Sequence, residues 1–187
     1  MKDGALVLDV PPDFHQVPLD DATEDRALAQ GALVDAFGVA DARQREGLGL
    51  YVESLARHVR GSRVAASAFC LVELDGAPST ATLTVALHPA GASADPTVLV
   101  LGTAEALRRD GDYTEVRTER IDGRPVVVAT AERVARSGSE RHREVTVAVP
   151  LAAHAQIALL ALASPDLAHW PVYERLVRQV AASVRVA

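Results

Sequence analysis

The 187 residues suit one domain, and at 49% hydrophobic composition they can supply a self-supporting core that buries about 70% of the unfolded surface. Aromatics make up only 4%, so that core is expected from Val, Leu and Ala, with few of the Tyr and Trp side chains that anchor ligands. The net charge of −6, with no clustered positive charge, excludes nucleic acid as an expected partner. The imbalance sits in residues 1–50, where ten acids from Asp3 to Glu46 face four bases; Lys2 is the only lysine. An Arg-dominated basic set beside abundant Ala fits the coding bias of a GC-rich bacterial genome.

Ala5 to Val10 reads as a short strand stopped by Pro11-Pro12, and Phe14 to Leu19 as a second extended piece that Pro18 places at an edge. Asp21-Ala-Thr-Glu24 has capping-box spacing and opens a helix to about Phe37, weakened by Gly31 and ended by Gly38. Residues 41–60 form the clearest helix. Leu48, Tyr51, Val52, Leu55 and Val59 make one stripe, Ala56 widens it, and Gly61 supplies the stop. Glu46, Glu53, Arg57 and Arg60 take the other face, with Glu53 and Arg57 as an i,i+4 pair.

The period then becomes two. Strands are expected at 64–74 and 80–88, joined by a turn at Asp75-Gly-Ala-Pro78. After a loop from Gly91 to Pro96 and a short apolar run at Thr97–Leu101, a brief helix capped by Thr103 is expected to reach Arg109. A hairpin follows, 114–121 and 124–134 about Asp122-Gly123, then a turn at Ser137-Gly-Ser139 and a strand at 143–149 ended by Pro150. His154 to Ala163 is continuously apolar; periodicity admits strand or helix there, and the neighbouring strands favour strand. A last helix starts near Pro171, with Val172, Leu176, Val180 and Val184 along one side. The expected fold is α+β: a single twisted, mainly antiparallel β-sheet flanked by helices, with an α-helical insert at 21–60 after the N-terminal strands.

No Gly-x-Ser-x-Gly, P-loop or Gly-x-Gly-x-x-Gly string occurs, and Gly47-Leu-Gly49 lies inside a helix. His15, His58, His88, His142, His154 and His169 include no zinc-like spacing, although His88 and His154, both placed in strands, stand to converge. Cys70, the only cysteine, excludes an intramolecular disulfide and reads as a buried, unreactive core thiol. Glu115, Arg117 and Glu119 alternate on one strand face, with Arg124 opposite, as a solvated set of cross-strand ion pairs. Trp170 reads equally as a core plug or as an exposed anchor. No catalytic residue, cofactor or metal site is expected. The longest apolar run, near 155–163, is too short to span a bilayer, and the start lacks a secretory signal, so no membrane insertion and a cytoplasmic location are expected.

The Pro11-Pro-Asp-Phe-His-Gln-Val-Pro-Leu19 opening resembles the Pro-x-x-aromatic start of PsbP-like domains. So does the ending: a valine strand closing on Val149-Pro-Leu151, an apolar strand, Ala163-Ser-Pro-Asp166, and a helix finishing in Ala-Ala-Ser-Val184. That family includes the photosystem II P subunit, a Ran-binding adaptor of eukaryotes and many bacterial proteins. This chain departs from it in having Phe14 where Trp is common, and in the insert at 21–60. The resemblance implies a single PsbP-like domain over 1–187 that serves protein contacts or assembly, with no shared active-site residues. The expected function is therefore a non-catalytic protein-interaction module: an adaptor, chaperone or assembly factor. The alternative is a small-molecule-binding domain or enzyme with a site scattered in sequence. A protein partner or self-association is expected through the acidic insert at Asp35, Asp41 and Glu46, with Trp170 next in line.

Overall fold

The structure, a computed structural model, describes residues 5–19, 23–59, 64–90, 95–134 and 141–187, the side chains of 23–27 and 57–59 excepted. The Asp21–Glu24 capping box, the Gly61 stop, the Ser137-Gly-Ser139 turn, much of the Gly91–Pro96 loop, the places of Val59 and Arg60 on the helix, and the Arg57 partner of Glu53 lie outside the described residues.

Alternation does build a sheet. β1 (Leu6–Val7) and β2 (His15–Gln16) precede the helices α1 (Thr23–Ala36) and α2 (Ala42–Val59); then come β3 (Val64–Leu74), β4 (Ala77–Pro89) and α3 (Pro96–Asp110). β5 (Glu115–Ile121), β6 (Arg124–Val134), β7 (Arg141–Leu151), β8 (Gln156–Ser164), α4 (Trp170–Ser183) and β9 (Arg185–Val186) complete the chain. Seven strands pair antiparallel in the order β2-β3-β4-β8-β7-β6-β5, and β1 pairs with β9 in a separate two-stranded sheet. Two hairpins turn on Asp-Gly pairs with positive φ at both residues, 52° and 76° at Asp75-Gly76 and 49° and 74° at Asp122-Gly123. That twist matches the strands it joins.

Four expectations are corrected. α3 begins at Pro96 rather than Thr103: Asp95 accepts a hydrogen bond from the Thr97 N–H at 2.7 Å, Pro96 fits the first turn, and Gly111 closes the helix at φ 70°. The apolar run Thr97–Leu101 is thus its first half. β7 continues through Pro150, because pairing with β6 has already stopped at Ala148 and one flank of the strand carries no ladder bond to lose. His154 lies in a 3-10 turn over Ala152–His154, and Ala155 in the left-handed region at φ 49°; the strand starts at Gln156. Finally, α4 buries Trp170, Tyr173, Val177, Val180, Ala181 and Val184, while Val172 is exposed and Leu176 half-buried at the flank.

The α4 face of the sheet carries the main core: Leu83 and Val85 of β4, Leu160 and Leu162 of β8, Val145 and Val147 of β7, and Val126 and Val128 of β6. The opposite face is covered at its two ends. Val52 and Ala56 of α2 and Leu33 of α1 close over Val17 and Phe69, while Val100, Ala104 and Leu107 of α3 close over Val127, Ala129 and Ala148. Between them the cross-strand pairs Thr82–Ala163 and Thr84–Ala161 stay half-buried. These small side chains leave that strip low between two helical walls.

Candidate functional site

The acids expected to meet a partner are on the α1–α2 hairpin, and two of them have local tasks. Asp35 pairs with Arg45 across the hairpin, and the Asp41 carboxylate accepts the Gln44 N–H at 2.9 Å, which makes it the N-cap of α2. Glu46 is exposed. The same hairpin presents Leu28 (75% exposed) and Leu50 (67%) to solvent. Tyr51, expected in the apolar stripe, instead leans over the sheet, its hydroxyl 3.2 Å from the Thr82 hydroxyl and its ring 5.1 Å from that of Phe69.

Trp170 is a core plug, 5% exposed. The Arg143 guanidinium lies 5.5 Å above its ring and also pairs with Glu132, holding that carboxyl below its ordinary value. The polar face of β5 is tied to α4. Arg117 meets Glu115, Glu119 and Glu174 at 3.0, 3.2 and 3.2 Å, and Arg178 holds Glu119 and Glu174. Arg124 donates to the Val184 carbonyl at 2.7 Å. These groups satisfy one another. Among the described residues no group of three or more His, Cys, Asp and Glu is placed to hold a metal ion.

Two clefts remain. One, of about 510 Å³, lies between α3 and the ends of β4 and β8; Gly102 and Ala106 form its low helical wall, Ile157 and Leu159 are among its lining, and His88, Thr103 and Asp110 are its polar groups. The other, of about 390 Å³, lies at the β3 edge of the sheet. Cys70, Val72 and Leu74 line it from β3, Val172, Tyr173 and Leu176 from α4, and Pro11, Asp13 and Phe14 from the N-terminal segment.

A buried polar cluster fixes one wall of the second cleft. The Tyr173 hydroxyl is 2.7 Å from the Ser79 hydroxyl, the Asp166 carboxylate accepts the Thr80 N–H at 2.7 Å, and Ser164 donates to the Thr80 carbonyl at 2.6 Å. The corner between β8 and α4 is thereby pinned to β4. Burial pushes the Cys70 thiol up to about 11 and the Tyr173 hydroxyl up to about 12, so both are neutral near pH 7. Cys70 is buried, as its apolar neighbours foretold.

The backbone beside this cleft is unfinished. β2 pairs with β3 only at His15–Phe69 and Gln16–Ala68, and Val17 donates to the Ser67 carbonyl at 2.8 Å. Ser67 therefore directs its main-chain groups outward, and by alternation so do Phe69, Leu71 and Glu73. The chain turns away at Pro11–Phe14, closed by a 3.0 Å bond from the Phe14 N–H to the Pro11 carbonyl. Among the described residues no main-chain group pairs with the outward N–H and C=O of Leu71 and Glu73. Val72 and Leu74 were not singled out from sequence, and Val172 and Leu176 were read there with Val180 and Val184 as one stripe rather than as the lining of a cleft. The signal was present in α4, whose apolar positions are too many for one core stripe.

Comparison with models of protein families gives no match, and no curated protein matches the chain either.

Proposed function

We propose that this protein is a non-catalytic protein-interaction module, an adaptor, chaperone or assembly factor, that takes up an extended segment of a partner protein on the open edge of β3. The observation that carries this reading is the run Leu71–Leu74, whose outward backbone groups at Leu71 and Glu73 have no main-chain partner among the described residues, beside an apolar cleft of about 390 Å³. Main-chain pairing supplies affinity in strand addition, and pockets for alternate side chains supply selectivity. The antiparallel sheet between helices is also of the kind that the PsbP-like resemblance implies. The charged groups of β5 and α4 are engaged with one another in ion pairs.

The test is selection of phage-displayed linear peptides on the immobilised full chain, followed by amide mapping of the enriched peptides by NMR. Shifts confined to Leu71–Leu74 and the cleft, lost in Glu73→Pro, are expected. Shifts on α1–α2 instead, or no enrichment, would overturn the edge as the contact surface. A second surface is favoured by the exposure of Leu28 and Leu50 beside Asp35, Asp41 and Glu46, and self-association through it would appear as a concentration-dependent mass. The small-molecule alternative rests on the α3 cleft with His88 and Asp110.

A further inference from the structure

We infer that the segment received at this edge is basic and alternating, apolar–Arg or Lys–apolar, with both apolar side chains in the cleft and the cation opposite Glu73. This rests on the strand-addition reading above and deepens it. Cross-strand neighbours in a sheet share a face. A strand bonded to the outward groups of Leu71 and Glu73 therefore sets its residues opposite Val72 and Leu74 on the face of Cys70, Val72 and Leu74. There the cleft is roofed by Val172, Tyr173 and Leu176. The residue between them, opposite Glu73, points to the other face, alongside the Glu73 carboxylate.

Charge selects the occupant. Among the described residues, the charged groups lining the cleft are Asp13 and Glu73, with Asp75 exposed at the hairpin tip next to β3 and no cation in the lining. A second copy pairing through the same edge with Glu73 opposite the Glu73 or Asp75 of the other chain would set like charges directly opposite, which destabilises a pair. The edge thus disfavours those pairings with its own copy and favours a cationic strand. Glu73 is exposed, so its contribution is to selection among peptides more than to affinity.

The experiment uses capped ten-residue peptides with Val-Lys-Val, Val-Glu-Val or Ser-Lys-Ser at the centre, titrated into the full-length chain and followed by amide NMR. Val-Lys-Val is expected to shift Leu71–Leu74 and to bind about threefold more tightly than Val-Glu-Val, the scale of an exposed ion pair. Ser-Lys-Ser is expected to lose at least about tenfold, because two aliphatic side chains, partly covered in an open cleft, are removed. Glu73→Lys should reverse the preference between Lys and Glu peptides; Asp13→Asn, a milder change, should narrow it. Equal binding of the Lys and Glu peptides at Leu71–Leu74, or no reversal in folded Glu73→Lys, overturns the inference and leaves strand addition standing. No shift at Leu71–Leu74 with any peptide overturns the strand-addition reading itself.

Discussion

Along β5, at one edge of the sheet, Glu115, Arg117 and Glu119 project toward α4 and are joined there by Glu174 and Arg178. Along β3, at the other edge, Leu71, Val72 and Leu74 flank the single acid Glu73, and the covering strand β2 has only two residues. A strand laid against β5 would have to strip water from ions that already have partners, whereas one laid against β3 would cover apolar side chains and satisfy four main-chain groups. The difference teaches that a sheet can be closed to pairing by charge at one side while remaining receptive at the other.

The largest effect belongs to Tyr173, which is fully buried, roofs the cleft and holds Ser79. Tyr173→Ala should cost about 3–5 kcal/mol by cavity formation. Tyr173→Phe, which leaves the Ser79 hydroxyl without its 2.7 Å partner, should cost about 1–2 kcal/mol. Urea unfolding followed by circular dichroism measures both; equal costs would mean that the hydroxyl pair, not the ring, holds this wall.

An alkaline transition should follow from the same wall. Cys70 and Tyr173 have folded values of about 11 and about 12, raised by burial from 9.0 and 10.0. The folded state holds those protons more tightly, so the stabilisation is complete below pH 9 and is lost as pH climbs through 9–12. Cys70→Ala should flatten the onset of that decline, while the part owed to Tyr173 persists above pH 10. A decline unchanged in Cys70→Ala would remove the thiol from the account.

At the charged edge, Glu119→Ala should cost about 1 kcal/mol, discounted because its partners are roughly a third exposed, and added salt should narrow the gap from the parent chain. Salt-independent loss would show that packing, not charge, closes the β5 edge.

The strands were legible because their alternation is strict, as in Ala81, Leu83, Val85 and Leu87, and because Asp-Gly pairs mark two of the turns. Strand order was not. Nothing local announces that Thr82 pairs with Ala163, so nothing local announces which strands end the sheet; only Pro18 hinted that the segment around β2 is an edge. The cleft was hidden for a related reason. Val172 and Leu176 share the apolar character of Tyr173 and Val177, and a helical stripe read from one sequence does not separate residues facing the core from neighbours facing a gap beside it. Trp170 reads equally as core or surface in sequence, because its burial at 5% exposure depends on Arg143 of β7, which no local pattern brings to it.

The smallest effect tests whether the contact surface lies on the acidic hairpin instead of the β3 edge. Of the three acids there, Asp41 is a poor probe, since losing its cap on Gln44 should itself cost about 1 kcal/mol. Asp35 is compromised by its pairing with Arg45. Glu46 is exposed on α2, and Glu46→Lys should change stability by no more than about 0.5 kcal/mol. If the open edge is the binding surface, Glu46→Lys captures Val-Lys-Val peptides as the parent does, and its mass in sedimentation is unchanged. Weakened capture, or a shift in mass with concentration, would transfer the role to the surface around Leu28 and Leu50. The outward groups of Leu71 and Glu73, without a main-chain partner among the described residues, would then be an edge guarded by the charge of Glu73 and its neighbours.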